Sequence, residues 1–292
     1  MKKKIFITGI SSSIVQKLIQ FIDLSEYEII GLSRKPLEQN SENIKIIQHD
    51  ITNIDLYAQH LKGCDLIIHA AAVTHSFTKK IYYDINYEIS KKLIDKAKEF
   101  NVNSFVYISS NTASQENGAY ADSKYLAEKY LQKTLSNWQI FRISEIFGGN
   151  NKEGIDKLIE TACKKNYILC PKSIPNKFSP IHIDDTAKIL HKNIFINSGK
   201  NKLKCINGKE QFTFIEIISL IRKNKPLKII SIPKNLVFFI MRITRVIPFY
   251  IGVIPDQIKR LYGLKSYGIT NENDITLKLN DYIESIIKNK YT

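Results

Sequence analysis

Tyr120 and Lys124 stand four positions apart in "YADSKYLAEKYL", a segment of strong helical period, so their side chains share one face. A free phenol titrates near pH ~10, too high for efficient proton exchange at neutrality. A neighbouring ammonium favours the phenolate and brings that value down. Such a pair moves a proton to or from a carbonyl or alcohol oxygen while a hydride moves on the other face. Ser110 ends the apolar run "SFVYISS" and is expected to hydrogen-bond the same oxygen. Tyr-x-x-x-Lys often arises by chance. Its weight here comes from the strand ending in paired serines and from a turn near the N-terminus.

That turn lies in "KIFITGISSSIVQKLI", Lys4 to Ile19, which reads as strand, phosphate turn and helix. Gly9 keeps the tight turn, while Ser12 and Val15 replace the second and third glycines. Backbone N–H groups at such a turn bind anions, and the expected cradle is Gly9 with Ser11, Ser12, Ser13 and Ile14. A serine Cβ crowds the phosphate, but its hydroxyl offers a compensating hydrogen bond. Val15 is expected to push the helix slightly away from the sheet. The second strand ends "GLSRKP", where Ser33 and Arg34 stand with no carboxylate. A guanidinium there accommodates a 2′-phosphate, so the expected cofactor is NADP, with NAD as the alternative.

These residues need a scaffold that brings strand ends together. Apolar runs at Lys4–Thr8, Tyr27–Ser33, Ile44–His49, Leu66–His69, Ser104–Ser109 and Trp138–Ile143 alternate with helical segments such as Ile14–Phe21, Ile85–Phe100 and Tyr120–Leu135. Continuous apolar strands between helices imply a doubly wound, Rossmann-like parallel sheet over residues 1–150. After Gly148 proline turns mix with helices near Ile155–Lys165 and Phe212–Asn224. Residues 151–292 read as a smaller α+β substrate lobe, with 180–200 returning to the first domain.

Composition narrows the class. Of 292 residues, 43% are hydrophobic and 24% charged, enough for a buried core. The N-terminal lysines precede an apolar stretch that serines interrupt, so no export signal is read and the expected compartment is the cytoplasm. Four scattered cysteines, with no Cys-x-x-Cys pair, imply neither a zinc site nor a disulfide framework; no metal is expected. The net charge of +15 is spread along the chain without a nucleic-acid motif, so nucleic-acid binding is not expected. "LVFFIMRITRVIPFYIGVI", residues 236–254, has spanning length but carries Arg242, Arg245 and Pro248 near its middle. Each central arginine costs about 2.5–3.5 kcal/mol, so the segment reads as a buried or amphipathic helix, with membrane-surface contact the lesser alternative.

Together the motifs resemble the extended short-chain dehydrogenase/reductase family, in its nucleotide-sugar epimerase, dehydratase and reductase branch, from Lys4 to about Asn224. "DLIIHAAA", "QHDI", "NYEIS", "YADSKYLAE", "FRISEIFGG", "FSPIHIDDTAKIL" and "CINGKEQFTFIEII" follow its order. The resemblance implies a catalytic trio of Ser110, Tyr120 and Lys124, with Lys124 also holding the nicotinamide ribose. It places Asp50 and Ile51 at the adenine, Ala70, Ala71 and Ala72 along the cofactor, and Asn86, on the central helix, among the cofactor-binding residues. Thr74 and His75 begin a loop that faces the sugar, with His75 as pocket wall rather than acid. Glu145 falls where relatives carry an asparagine beside the substrate. His182 and the Asp184–Asp185 pair read as structural. The family also implies a homodimer through the Ile85–Phe100 and Tyr120–Leu135 helices.

The strand end "SSNTAS" lacks the acidic pair that water elimination requires, which disfavours dehydration. Arg34 and the thinned glycine turn fit a cofactor that exchanges at each turnover. The expected reaction is therefore NADPH-dependent reduction of a 4-keto nucleotide sugar of the 4-keto-6-deoxyhexose type, serving surface polysaccharide or deoxysugar synthesis. A 4-epimerase is the first alternative and a non-catalytic NADP-binding module the second. The basic balance suits a diphosphate, for which Lys177, Arg222, Arg242 and Arg245 are candidates.

Overall fold

The computed structural model describes residues 2–38, 41–149, 153–197, 199–246, 255–268 and 274–291. Its strands are β1 (Lys3–Thr8), β2 (Tyr27–Ser33), β3 (Ile44–Gln48), β4 (Leu66–His69), β5 (Ser104–Ser110), β6 (Trp138–Ile143), β7 (Ile146–Phe147), β8 (Tyr167–Pro171), β9 (Ile181–His182), β10 (Lys202–Ile206) and β11 (Lys228–Ile232). Seven of them form one sheet in the order β10-β6-β5-β4-β1-β2-β3, every pair parallel.

Alternation within each strand explains the double cover. Phe6, Ile30, Ile67, Phe105 and Ile140 face one apolar cluster, while Ile5, Ile7, Ile29, Val106 and Phe141 face the other. Each such side chain contributes about 1.5–3 kcal/mol by leaving water. The strand order reverses between β1 and β4, so their C-terminal ends border the crevice where doubly wound sheets bind ligands.

The return to the first domain runs further than the 180–200 expected from sequence. Ile181, Ile189, Leu190 and Ile194 join the sheet's second cluster, and helix Ile183–His191 packs on helix Ser13–Ile19. The run containing Cys205, read as part of the substrate lobe, is instead the edge strand β10, paired with β6. Its lysines disguised it, because an edge strand tolerates charge. The second lobe packs helices Gly154–Lys165, Phe214–Asn224 and Leu279–Tyr291 around the parallel pair β8 and β11. A Thr213–Glu216 capping box starts the middle helix.

Segment 236–254 is only partly described. Helix Lys234–Val246 buries Val237 and Met241 against Ile258, and residues 247–254 lie outside the described residues. Among the described residues no helix is long and apolar enough to cross a membrane.

Candidate active site

Gly9 closes the turn after β1 with φ of +70°, and a Cβ there would come within 2.7 Å of the Ala71 backbone nitrogen. Only glycine satisfies both demands. The two strand ends thus meet backbone to backbone, with Ala70 N–H donating to the Thr8 carbonyl at 3.2 Å and Ala71 N–H to Thr8 Oγ1 at 3.2 Å. Ser12 N–H donates to the Gly9 carbonyl at 2.9 Å, and Gln16 Nε2 ties down the Ile10 carbonyl. The Ser12 hydroxyl is buried with no protein partner. A buried donor without a partner is costly, and a phosphate oxygen would satisfy it. Val15 is buried in the core of the sheet's second face, so its side chain is accommodated where a glycine was expected. Ser13 sits beside Gly149, whose N–H, with that of Gly148, donates to Asp156. Ser11 is exposed, and Ile14 packs against the second-face cluster. These features fit a dinucleotide pyrophosphate.

At the next strand ends, Ser33 is buried and accepts from Lys35 N–H at its hydroxyl, while Arg34 is exposed. Asp50 Oδ1 accepts from the Thr52 backbone and hydroxyl, which lower its carboxyl value, with Arg34 adding to the effect. The Ile51 carbonyl accepts from Tyr57. Arg34 and Asp50 thus lie near one another on the side expected to hold adenosine.

Asn86 departs from its expected cofactor-facing role. Buried in the helix that runs from Lys79 to Glu99 and widens to π spacing over Tyr83–Ile89, it is spent on protein. Its Oδ1 accepts from Val73 N–H at 2.8 Å, and its Nδ2 donates to the Val73 carbonyl and to Ser123. It braces the loop after β4 against the active-site helix Ala119–Thr134.

Tyr120 is buried near the N-terminus of that helix, its ring edge-on to Tyr82 at 6.1 Å. Ser110, at the end of β5, shares a 2.9 Å hydrogen bond with Thr112, and it is close enough to the phenol to act on its titration. The electrostatics correct the sequence expectation. Burial dominates and raises the Tyr120 phenol above its ordinary value, while Arg260 and then Ser110 pull it back down. Lys124 is not the cation on the ring. Its Nζ donates to the Ile108 carbonyl at 2.6 Å and lies 4.0 Å from the Tyr107 ring centroid. Burial brings the Lys124 ammonium down to about 7, partly offset by Glu128. One helical turn of spacing therefore does not make two side chains touch.

Sequence reasoning missed Arg260. Its guanidinium carbon stands 4.4 Å from the Tyr120 ring centroid, and Nη2 donates to the Thr74 carbonyl at 2.8 Å. Asp256, one turn earlier, lies 3.3 Å from Arg260 Nε and also accepts from Ala119 N–H, so it caps the active-site helix. Both belong to helix Pro255–Tyr262, in the part of the chain without a motif. The only signal was an Asp and an Arg four apart. His69 was missed as well: buried between Thr8 at 2.6 Å and Ser90 at 2.8 Å, it is held to about 3 by burial and by the Lys124 charge, hence neutral.

On the substrate side, Thr74 and His75 hydrogen-bond each other at 2.8 Å, and His75 faces Glu153 at 3.7 Å. Burial lowers the His75 imidazole despite Glu153. Glu145 accepts from buried Lys265, which sits 3.6 Å from the Phe178 ring centroid, and its second oxygen is buried without a partner. Lys177 is exposed, and its carbonyl accepts from Tyr267. Arg222 and Arg242 are exposed, and the Arg245 side chain lies outside the described residues. Asp185 holds Thr276 and Leu277, and His182 accepts from Asp184 N–H, both structural tasks.

Comparison with known proteins adds the family. The sequence family described as NAD dependent epimerase/dehydratase matches residues 5–195. No curated protein matches the chain in sequence. Among solved structures, the Bordetella bronchiseptica enzyme WbmH in complex with NAD+ superposes with a TM-score of 0.67 at 17% identity, over 80% of this chain and 86% of that one. The dTDP-4-dehydrorhamnose reductase of Bacillus anthracis str. Ames in complex with NADP gives 0.64 at 20% identity, over 80% and 84%. The UDP-N-acetylglucosamine 4-epimerase from Bacillus cereus gives 0.63 at 20% identity, over 79% and 86%. At these identities the likeness is one of fold.

Proposed function

This chain belongs to the NAD dependent epimerase/dehydratase family, and from that membership we propose that it reduces a 4-keto nucleotide-diphosphate sugar with NADPH. The observation that carries the reading is a buried phenol, Tyr120, on the helix that follows β5 and its terminal Ser110, in a sheet whose strand-end crevice is floored by Gly9 and Ala71. When bound, the dinucleotide supplies the hydride.

The chain's own residues supply the rest. Burial keeps Tyr120 protonated at neutral pH, which suits a proton donor to a carbonyl oxygen. Ser110, braced by Thr112, orients that oxygen. Arg260 steadies the negative charge that the phenol acquires as its proton leaves. Lys124 is the candidate for the ribose hydroxyls, reached by a turn of its side chain from the Ile108 carbonyl. Arg34, with no carboxylate at the end of β2, favours the 2′-phosphate of NADP over NAD. Thr112, Ala113 and Ser114 follow the strand where elimination would need acids, which argues against dehydration. The solved reductase with NADP shares the fold; so does the 4-epimerase, and cofactor stoichiometry separates these two readings. A homodimer through the helices Lys79–Glu99 and Ala119–Thr134 belongs to the same proposal.

Purified protein mixed with NADPH and 4-keto-6-deoxy nucleotide sugars tests the reading by loss of absorbance. Stoichiometric consumption is expected, with Tyr120→Phe slower by about 10²-fold or more. Interconversion of sugars without net consumption would replace reduction by epimerisation, and equal rates for the variant would remove Tyr120 from the chemistry.

A further inference from the structure

Helix Lys234–Val246 carries apolar side chains on two opposite sides. The inner side, Val237 and Met241, is buried against Ile258. Among the described residues nothing covers the outer side: Leu236, Phe239 and Ile243, at spacings of three and four, are 47%, 59% and 38% exposed. Isolated exposed apolar residues are ordinary, but three on one helical face form a patch that asks for a partner. Strand β11 leads into this helix. It exposes Ile230, which pairs with exposed Leu169 on β8.

Charge identifies the partner. From Ile217 to Pro255 the sequence contains no Asp or Glu. Arg222, Lys223, Lys228, Lys234 and Arg242, all exposed, belong to this stretch. A second copy meeting this helix about a two-fold axis would bring an acid-free, basic stretch, Lys234 and Arg242 on the helix itself, against its own like. Nucleic acid would meet Leu, Phe and Ile where it needs polar contacts. An anionic bilayer satisfies both features, apolar side chains entering the acyl boundary and basic ones meeting lipid phosphates.

We propose that helix Lys234–Val246 docks this protein on anionic phospholipid membranes, lying along the surface with Leu236, Phe239 and Ile243 inserted. The inner side of the same helix packs through Ile258 on the helix that bears Asp256 and Arg260. Docking therefore holds the lipid surface one helix away from the elements around Tyr120. The inference stands on the exposed face and its charge, independently of the reaction assigned above.

Flotation of the full chain with vesicles tests it. Binding to mixed phosphatidylcholine–phosphatidylglycerol vesicles is expected, weakened by salt, with little binding to phosphatidylcholine alone. Phe239→Asp should lower the bound fraction about tenfold or more, and Arg242→Glu should weaken it in the same direction. Leu56→Asp, at a position 61% exposed on the first domain, should bind as wild type. Since Phe239 is exposed, melting curves should stay close to wild type. Phe239→Trp should show blue-shifted emission only with anionic vesicles, against the background of Trp138. Failure of wild type to float with anionic vesicles, or unchanged flotation of Phe239→Asp, overturns the proposal. So does a lipid-free oligomer that Phe239→Asp dissociates, which would assign the face to a second copy.

Discussion

Arg260 changes how the phenol is understood. The lysine one turn along the helix is turned toward Ile108 and Tyr107, and an arginine from the far end of the chain supplies the charge at Tyr120. Burial raises Tyr120 and Arg260 opposes the rise. Removing the guanidinium in Arg260→Ala therefore moves the phenol further above its ordinary value. In the oxidative direction of the proposed reaction the phenolate is the active form, so the rising limb of kcat/KM is expected to shift to higher pH. The rate at pH ~8 then falls on the order of tenfold. Arg260→Lys should restore part of the limb position. A loss of rate with no shift of the limb would instead assign Arg260 to holding the Thr74 loop.

Among elements, the active-site helix is fixed at its first turn and along its flank. Asp256 caps its first turn, and Asn86 and Ser123 join it to the π-widened helix. Glu128 accepts from Arg142 at 2.6 Å and from Ser109 at 2.5 Å, binding the helix to β5 and β6. Both members of this ion pair are largely buried, at 12% and 1% side-chain exposure. Glu128→Ala leaves the guanidinium uncompensated and should cost about 3–5 kcal/mol in urea unfolding. A loss below about 1 kcal/mol would show that water replaces the carboxylate. The helix and its strands were legible from period and apolar runs. The π widening was not; it carries Asn86, whose bonds to Val73 span thirteen residues, a contact no local period records.

For the molecule as a whole, buried Lys124 links the site to stability. Its folded value is about 7, against 10.5 for the free side chain. Between those values the unfolded chain binds one more proton, so on this group's account stability rises with pH across that window. Lys124→Met should therefore be more stable than wild type at pH ~7 and below, by several kcal/mol, and the gap should close toward pH ~10. Melting temperatures of the two proteins across this range check it. A constant offset would show that Lys124 stays charged when folded.

Local residue pattern by itself determined the parallel sheet, the glycine turn at its first strand, and the placement of Ser110 at a strand end with Tyr120 and Lys124 on the helix that follows. Each of these follows from period, steric freedom or spacing within a short stretch of chain. Tertiary structure alone decided which cation meets the phenol, what Asn86 holds, where β10 belongs and which side of helix Lys234–Val246 faces water. Those depend on side chains brought together from distant positions, as with Arg260 and Tyr120, and on burial, which sets whether a charge persists. Neither separation along the chain nor desolvation is written in local residue order.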